Sequence, residues 1–445
     1  MIRYASIFLL AFILATLVYF QVEPYGYPKA IALSVAAFAA ILWITEIIPL
    51  YITALFIPIG LIGGGVFEPQ HAFSSFIHPV IFLMLGGYII AIAIEKTGVA
   101  CWITRHILLL SGHHRFSILA AFMLASACMS TLISNTATVA LLIPVVVHFL
   151  NSTNEDKDLS KALMLGIAYG ASIGGVATLV GSPPNAIAAG MLNISFLEWI
   201  SYGLPVSVTM LIVAFFVLRF SFPMEKSLNI NIDEDEALSK EGKRTLIIVG
   251  IVLFFWLFGP YLESILNLPE KILSSANVAC MAIVILLLFR CLKLSDVKTG
   301  VNWGVLILIG GGLTLGQGLI ESGASEWLAI LMADEISTFH PLLFLAIVVA
   351  IGVFATEIIS NTAVAANLAP ILMGIALQIG VSQGSLVIPV VIATSMAFML
   401  PVATPPNALV HACGYVTQTD MMRIGIRLNV LAIVVIVIIF RLAQF

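Results

Sequence analysis

Apolar residues run through this chain in blocks of helical length, and polar residues gather where the blocks end. A bilayer core takes a helix of ~20 mainly apolar residues. Blocks of that kind lie near 3–22, 29–48, 50–66, 79–97, 162–180, 203–222, 245–262, 274–292, 302–320, 385–403 and 425–443. Two further apolar stretches, 116–150 and 340–378, are too long for one span, and each carries a polar break at its middle, Ser134-Asn135-Thr136 and Ser360-Asn361-Thr362. Each is either two full spans joined by a turn or a re-entrant hairpin that enters and leaves on one side. The pattern therefore predicts an all-α polytopic membrane protein of about eleven transmembrane helices plus two re-entrant hairpins. The apolar run after Arg3 reads as the first span, because no small-x-small cleavage site ends it.

The two halves can be laid over each other. Gly86 and Gly98 stand against Gly311 and Gly323 at an offset of 225. Ser134-Asn135-Thr136-Ala137 stands against Ser360-Asn361-Thr362-Ala363 at 226, with Pro144 and Pro370 following. Gly181-Ser182-Pro183-Pro184-Asn185-Ala186 stands against Ala403-Thr404-Pro405-Pro406-Asn407-Ala408 at 222. With the N-terminus in the cytoplasm and both long stretches as hairpins, cytoplasmic segments collect sixteen of the nineteen Lys and Arg, against Lys29, Lys271 and Arg441 outside. The C-terminus then lies outside. In that topology the blocks 79–97 and 302–320 run in opposite directions, so the repeat is inverted. The expected organisation is an N-terminal repeat half (1–222) with a cytoplasm-entering hairpin, a solvated cytoplasmic linker (223–244), and a C-terminal half (245–445) with an outside-entering hairpin.

Composition narrows the function. Of 445 residues, 61% are hydrophobic and 9% charged, and the mean hydropathy is +1.13. A soluble domain carries about 25% charged residues, so a soluble enzyme is excluded. The Lys and Arg form no basic stripe, which argues against a nucleic-acid partner. The five cysteines show no CxxC pair, and neither a zinc site nor a disulfide framework is signalled. No Ser/His pair, paired Asp or His-rich metal set falls at membrane depth, so no enzymatic activity and no organic cofactor are expected. The glycine runs at 63–65 and 310–312 match no phosphate-binding loop and fit close helix packing instead.

Inverted repeats with broken helices place a transporter's substrate near the bilayer midplane. Non-helical backbone at that depth survives only inside protein or beside water. Ser-Asn-Thr sets two hydroxyls and an amide there, and Ser and Asn also suit a helix N-terminus. Ser130 and Thr356 each lie four residues before the tip serine, one helical turn away on the same face. Pro-Pro interrupts a helix and frees carbonyl oxygens, which suit a hard cation such as Na⁺. The residues thus suggest two related Na⁺ sites, one from Ser130, Ser134, Asn135 and backbone near Gly181, the other from Thr356, Asn361 and backbone near Ala403. Almost no Lys or Arg lies at mid-depth, and a bare dianion there is costly. Bound Na⁺ and helix N-termini would compensate it, with direct contacts from Asn135, Thr136, Asn361 and Thr362. Glu357 admits three readings: proton relay, ion ligand, or a carboxylate satisfied by neighbouring backbone, the last being favoured.

The paired Ser-Asn-Thr tips and the run AFMLPVATPPNALV (397–410) resemble the divalent anion/Na⁺ symporter family of di- and tricarboxylate carriers, over essentially the whole chain. The resemblance implies a homodimer in the cell membrane, with a scaffold domain and a transport domain that moves as an elevator. It implies sodium ligation at Ser130, Ser134, Asn135 and Gly181, and at Thr356, Asn361 and Ala403. It implies carboxylate contacts from both triplets, Ser134, Asn135, Thr136 and Ser360, Asn361, Thr362, and from Ser182 and Thr404. Two intact triplets look like the C4-dicarboxylate carriers, which import succinate, malate or fumarate with two or more Na⁺. The family also holds sodium-independent exchangers and sulfate carriers.

Overall fold

A computed structural model describes residues 2–109, 112, 114–153, 157–222, 237–337 and 340–442, and among these every regular element is helical. Eight of the described helices are long and apolar enough to cross a membrane. Seven coincide with expected full spans; the eighth, Asn361–Gln378, is an arm of the second hairpin. The other four expected spans are corrected. Leu50–Gly63 and Ser275–Leu288 have 14 residues each, and at ~1.5 Å per residue they fall short of a ~30 Å core. The blocks 162–180 and 385–403 are half-helices, Lys157–Gly174 and Gln383–Ala393, that stop, pass through irregular backbone, and restart at Pro183 and Pro405. The Pro-Pro pairs therefore begin new helices, where a missing N–H costs nothing, and the irregular backbone lies upstream of them.

Each long stretch folds as two helices that part at its triplet: Arg115–Ser130 and Asn135–Thr153, then Pro341–Ala355 and Asn361–Gln378. Of the expected linker, residues 223–236 lie outside the described residues. Residues 240–244 form the start of the helix Lys240–Ile265, capped by Ser239 through the Gly242 N–H at 3.0 Å.

The order of elements recurs, and so do their contacts. Leu50–Gly63 packs on Trp303–Glu321, and Ser275–Leu288 packs on Pro79–Lys96. A methyl group on Gly311 would lie 2.5 Å from the Ala54 Cβ, and one on Gly86 2.5 Å from the Ala279 Cβ. Glycine at 86 and 311 thus lets helix backbones touch, as expected of the run 310–312. The broken half-helices cross the hairpins the same way. The helix Asn135–Thr153 packs on Pro405–Ala412, and Asn361–Gln378 packs on Pro183–Leu192. Lys157–Gly174 lies against Arg115–Ser130 along Gly166, Gly170 and Gly174, spaced by four and so on one face. Two ion pairs tie remote segments, Lys96 with Asp296 and Lys161 with Asp420 at 3.0 Å. The hydrogen bond from Lys96 holds the Asp296 carboxyl below its ordinary range.

Candidate functional site

The first break, residues 175–182, is held from three directions. Ser130, fully buried at the end of its helix, donates to Asn135 Oδ1 at 2.6 Å. A Cβ on Gly175 would lie 2.4 Å from that same Asn135 oxygen. A Cβ on Gly181 would lie 2.5 Å from the Gly175 carbonyl oxygen and 2.8 Å from that of Ser130. Carbonyl oxygens of Ser130 and Gly175 therefore crowd Gly181, and the Asn135 and Gly181 oxygens crowd Gly175. The second break, 394–404, repeats the arrangement. The buried Thr356 hydroxyl lies within hydrogen-bonding reach of Asn361 Oδ1 and, at 2.8 Å, of the Thr394 carbonyl. Ala403 and Thr404 are buried there, and the Thr404 hydroxyl caps the following helix at the Asn407 N–H, 3.3 Å.

The two breaks meet. Ser182 Oγ lies 3.5 Å from Ser395 Oγ, across 213 positions of sequence. Close contacts therefore lead from Asn135 through Gly175, Gly181 and Ser182 to Ser395, Thr394, Thr356 and Asn361. Four helices begin around this path, at Asn135, Pro183, Asn361 and Pro405, each turning the positive end of its dipole toward it. Among the described residues only Arg115, Asp296 and Glu357 are buried charged groups. Only Glu357 lies beside a break. Its carboxylate accepts from the Phe398, Met399 and Leu400 N–H groups at 2.9 to 3.0 Å and from Asn429 Nδ2 at 2.7 Å. The reading of Glu357 as a carboxylate satisfied by backbone is the one these bonds support.

The triplets are not equally enclosed. Ser134 and Thr136 are exposed and Asn135 is half-buried, whereas Ser360 and Asn361 are half-buried and Thr362 is buried. Further along the first hairpin Ala140 and Pro144 are exposed, while their counterparts Ala366 and Pro370 are buried. Ser134 is in part a cap, accepting from the Ala137 N–H at 3.3 Å, whereas Ser360 makes no such bond.

Sequence reasoning missed the residues that shape the breaks. Asn185 donates from Nδ2 to the carbonyls of Gly175 and Thr178 at 2.9 and 2.7 Å. Asn407 donates to those of Ala397 and Leu400 at 3.2 and 3.1 Å. All three positions of each set differ by 222, the offset of the Pro-Pro-Asn motif itself, so the recurrence of that asparagine was the available signal. The Oδ1 atoms of both are buried and unpartnered. Asn185→Asp or Asn407→Asp replaces two donors by an anion facing two carbonyls. Each is expected to cost at least ~2 kcal/mol, seen as lowered thermal stability in detergent. Wild-type stability in both variants would show that the clasp does not matter.

The citrate transporter family model matches residues 40–387. The chain belongs to that family. A transporter of Haemophilus influenzae named only as uncharacterized is 37% identical, with 92% of this chain and 91% of the relative covered. The sodium-dependent dicarboxylate transporter SdcS of Staphylococcus saprophyticus is 32% identical over 95% of this chain and 88% of its own. SdcS of Staphylococcus aureus is 30% identical over 96% and 88%. Among solved structures, the YdaH transporter of Alcanivorax borkumensis aligns with a TM-score of 0.61 at 12% identity, covering 93% of this chain and 98% of that one. MtrF of Neisseria gonorrhoeae aligns with a TM-score of 0.60 at 11% identity, covering 86% and 84%. The two structures share the fold, and the kinship with the carriers recognised from the Ser-Asn-Thr tips stands. The chain is therefore a multi-pass membrane transporter, not an enzyme.

Proposed function

We propose that this protein imports C4-dicarboxylates such as succinate, malate or fumarate into the cell, driven by Na⁺. The observation that carries the reading is the contact path joining Asn135 to Asn361 through both breaks, with no fixed cation along it. Helix N-termini alone supply ~0.3–2 kcal/mol each, too little to hold a dianion out of water. Captured cations close that gap. One Na⁺ sits among Ser130, Ser134, Asn135 and Gly181, the other among Thr356, Asn361 and Ala403. The substrate takes hydroxyl and amide donors from Ser134, Asn135, Thr136, Ser360, Asn361 and Thr362, flanked by Ser182 and Thr404. Ion and substrate then raise each other's affinity by the same factor. The names of the SdcS relatives support this substrate and ion. Purified protein is expected to be stabilised against heat by succinate in Na⁺ but not in K⁺, and succinate uptake into proteoliposomes should collapse without a sodium gradient. Uptake indifferent to sodium would assign an exchanger, and stronger competition by sulfate an oxyanion carrier.

The same reading holds that the halves are inverted repeats, that the N-terminus is cytoplasmic and the C-terminus outside, and that two protomers pair through a static scaffold. The exposed first hairpin and the enclosed second one then mark a state open to the cytoplasm. A methyl on Gly312 would lie 3.4 Å from the Ala366 Cβ, near the ~3.8 Å of a disulfide. Their counterparts at the repeat offsets are Gly87 and Ala140. On a background free of other cysteines, Gly312→Cys with Ala366→Cys is expected to cross-link in the present state, and Gly87→Cys with Ala140→Cys in the opposite one. Either bond should stop transport, and reduction should restore it. If the second pair never cross-links during turnover, the exchange of contacts between halves is wrong.

A further inference from the structure

The two breaks differ in buried charge. By the triplet offset of 226, Glu357 in the second half takes the place of Thr131 in the first. Thr131 turns its hydroxyl back to the Cys128 carbonyl at 2.8 Å, and the first break closes on itself, Val176 N–H to the Ile173 carbonyl and Ala177 N–H to that of Gly174. The matching N–H groups of Phe398 and Met399, and that of Leu400, point instead at the Glu357 carboxylate. Four N–H donors converge on its two oxygens, the backbone N–H groups of Phe398, Met399 and Leu400 and the Asn429 amide. Among the described residues no Lys, Arg or His pairs with it. It is 4% exposed and adjoins Thr356 in the chain.

From this we infer that Glu357 makes the two ion sites unequal: its fixed negative charge draws the first Na⁺ to the Thr356–Asn361 site, and the Ser130–Asn135 site fills afterwards, together with the substrate. The inference rests on the two-site reading above. Glu357 is a positioning residue, not a ligand, since its oxygens are occupied by the 398–400 backbone and Asn429. It acts on the cation through its charge and through the loop it fixes, whose Ala397 and Leu400 carbonyls Asn407 holds from the other side. The first site has no buried charge in the corresponding place.

The experiment is a sodium titration of thermal stability with and without succinate on the purified full chain. Glu357→Gln is expected to raise the half-saturating sodium by about tenfold or more, the scale of a nearby unit charge at protein dielectric. Succinate affinity at saturating sodium should stay within about threefold of the wild type. Glu357→Asp keeps the charge and should restore most of the sodium affinity. Without substrate, Thr356→Val should abolish stabilisation by low sodium, and Ser130→Ala should retain it. This second comparison decides the matter even if Glu357→Gln does not fold. Equal sodium dependence in Thr356→Val and Ser130→Ala, or a wild-type titration in Glu357→Gln, overturns the inequality. A wild-type protein that ignores sodium altogether overturns the proposed function instead.

Discussion

Asn135→Ala and Asn361→Ala are each expected to abolish sodium-driven succinate uptake in proteoliposomes, by roughly 100-fold or more. In the proposed reading each asparagine serves two guests at once. Its Oδ1 lies beside the cation-site hydroxyl, Ser130 or Thr356, and its amide N–H₂ remains to donate to a carboxylate. Alanine removes both, and it leaves the Ser130 or Thr356 hydroxyl without that acceptor. Because the coupling between ion and substrate is reciprocal, the two losses multiply. The variants should still fold. Both positions begin a helix and are only half-buried, so little packing is lost. A monodisperse protein without sodium-dependent binding is the expected result. Substantial uptake by either variant would remove its tip from the site. Thr16→Val, at a half-buried residue whose hydroxyl bonds the Phe12 carbonyl within its own first helix, is the matched control.

What the sequence reveals and what it hides follow one physical line. The triplets were legible because polar residues inside a long apolar run have no other use for their hydrogen-bonding capacity. The seven long helices were legible from hydropathy alone. The half-helices were not. The segments 162–180 and 385–403 read as continuous spans, because irregular backbone sealed in protein can be as apolar in composition as a helix. Val176, Ala177, Leu179 and Val180 are all buried in the first break. The carbonyls of each break are taken by a donor from outside it, Asn185 in the first and Asn407 in the second. Those donors sit seven or ten residues downstream, beyond the reach of any local pattern. Glu357 was visible as an oddity, yet its partners at 398–400 and 429 are joined to it only by the fold.

Gly181→Ala is the second decisive substitution, because it tests the inequality of the halves as well as the first ion site. The added methyl would lie 2.5 Å from the Gly175 oxygen, 2.8 Å from the Ser130 oxygen and 2.9 Å from the Gly175 Cα. All three are backbone atoms, which cannot swing aside as a side-chain tip can, so the carbonyls assigned to the cation must spread. The second half already carries the methyl, as Ala403, and carries another at Ala397, the counterpart of Gly175. The second cage, with two more methyl groups, is braced from outside by Glu357 and Asn407. The first is held by the Asn185 clasp, by a Thr178 hydroxyl and by the Trp199 indole N–H, which donates to the Val176 carbonyl at 3.0 Å, with no buried carboxylate among them. Gly181→Ala is thus expected to raise the half-saturating sodium for succinate uptake by roughly 100-fold or to eliminate uptake, since displaced ligands are not re-formed at that packing. Gly63→Ala, where a methyl meets nothing within 4 Å, should behave as wild type. Stabilisation by low sodium without substrate should survive in Gly181→Ala, because that ion belongs to the other half. Normal sodium dependence of uptake in Gly181→Ala would place the first cation elsewhere.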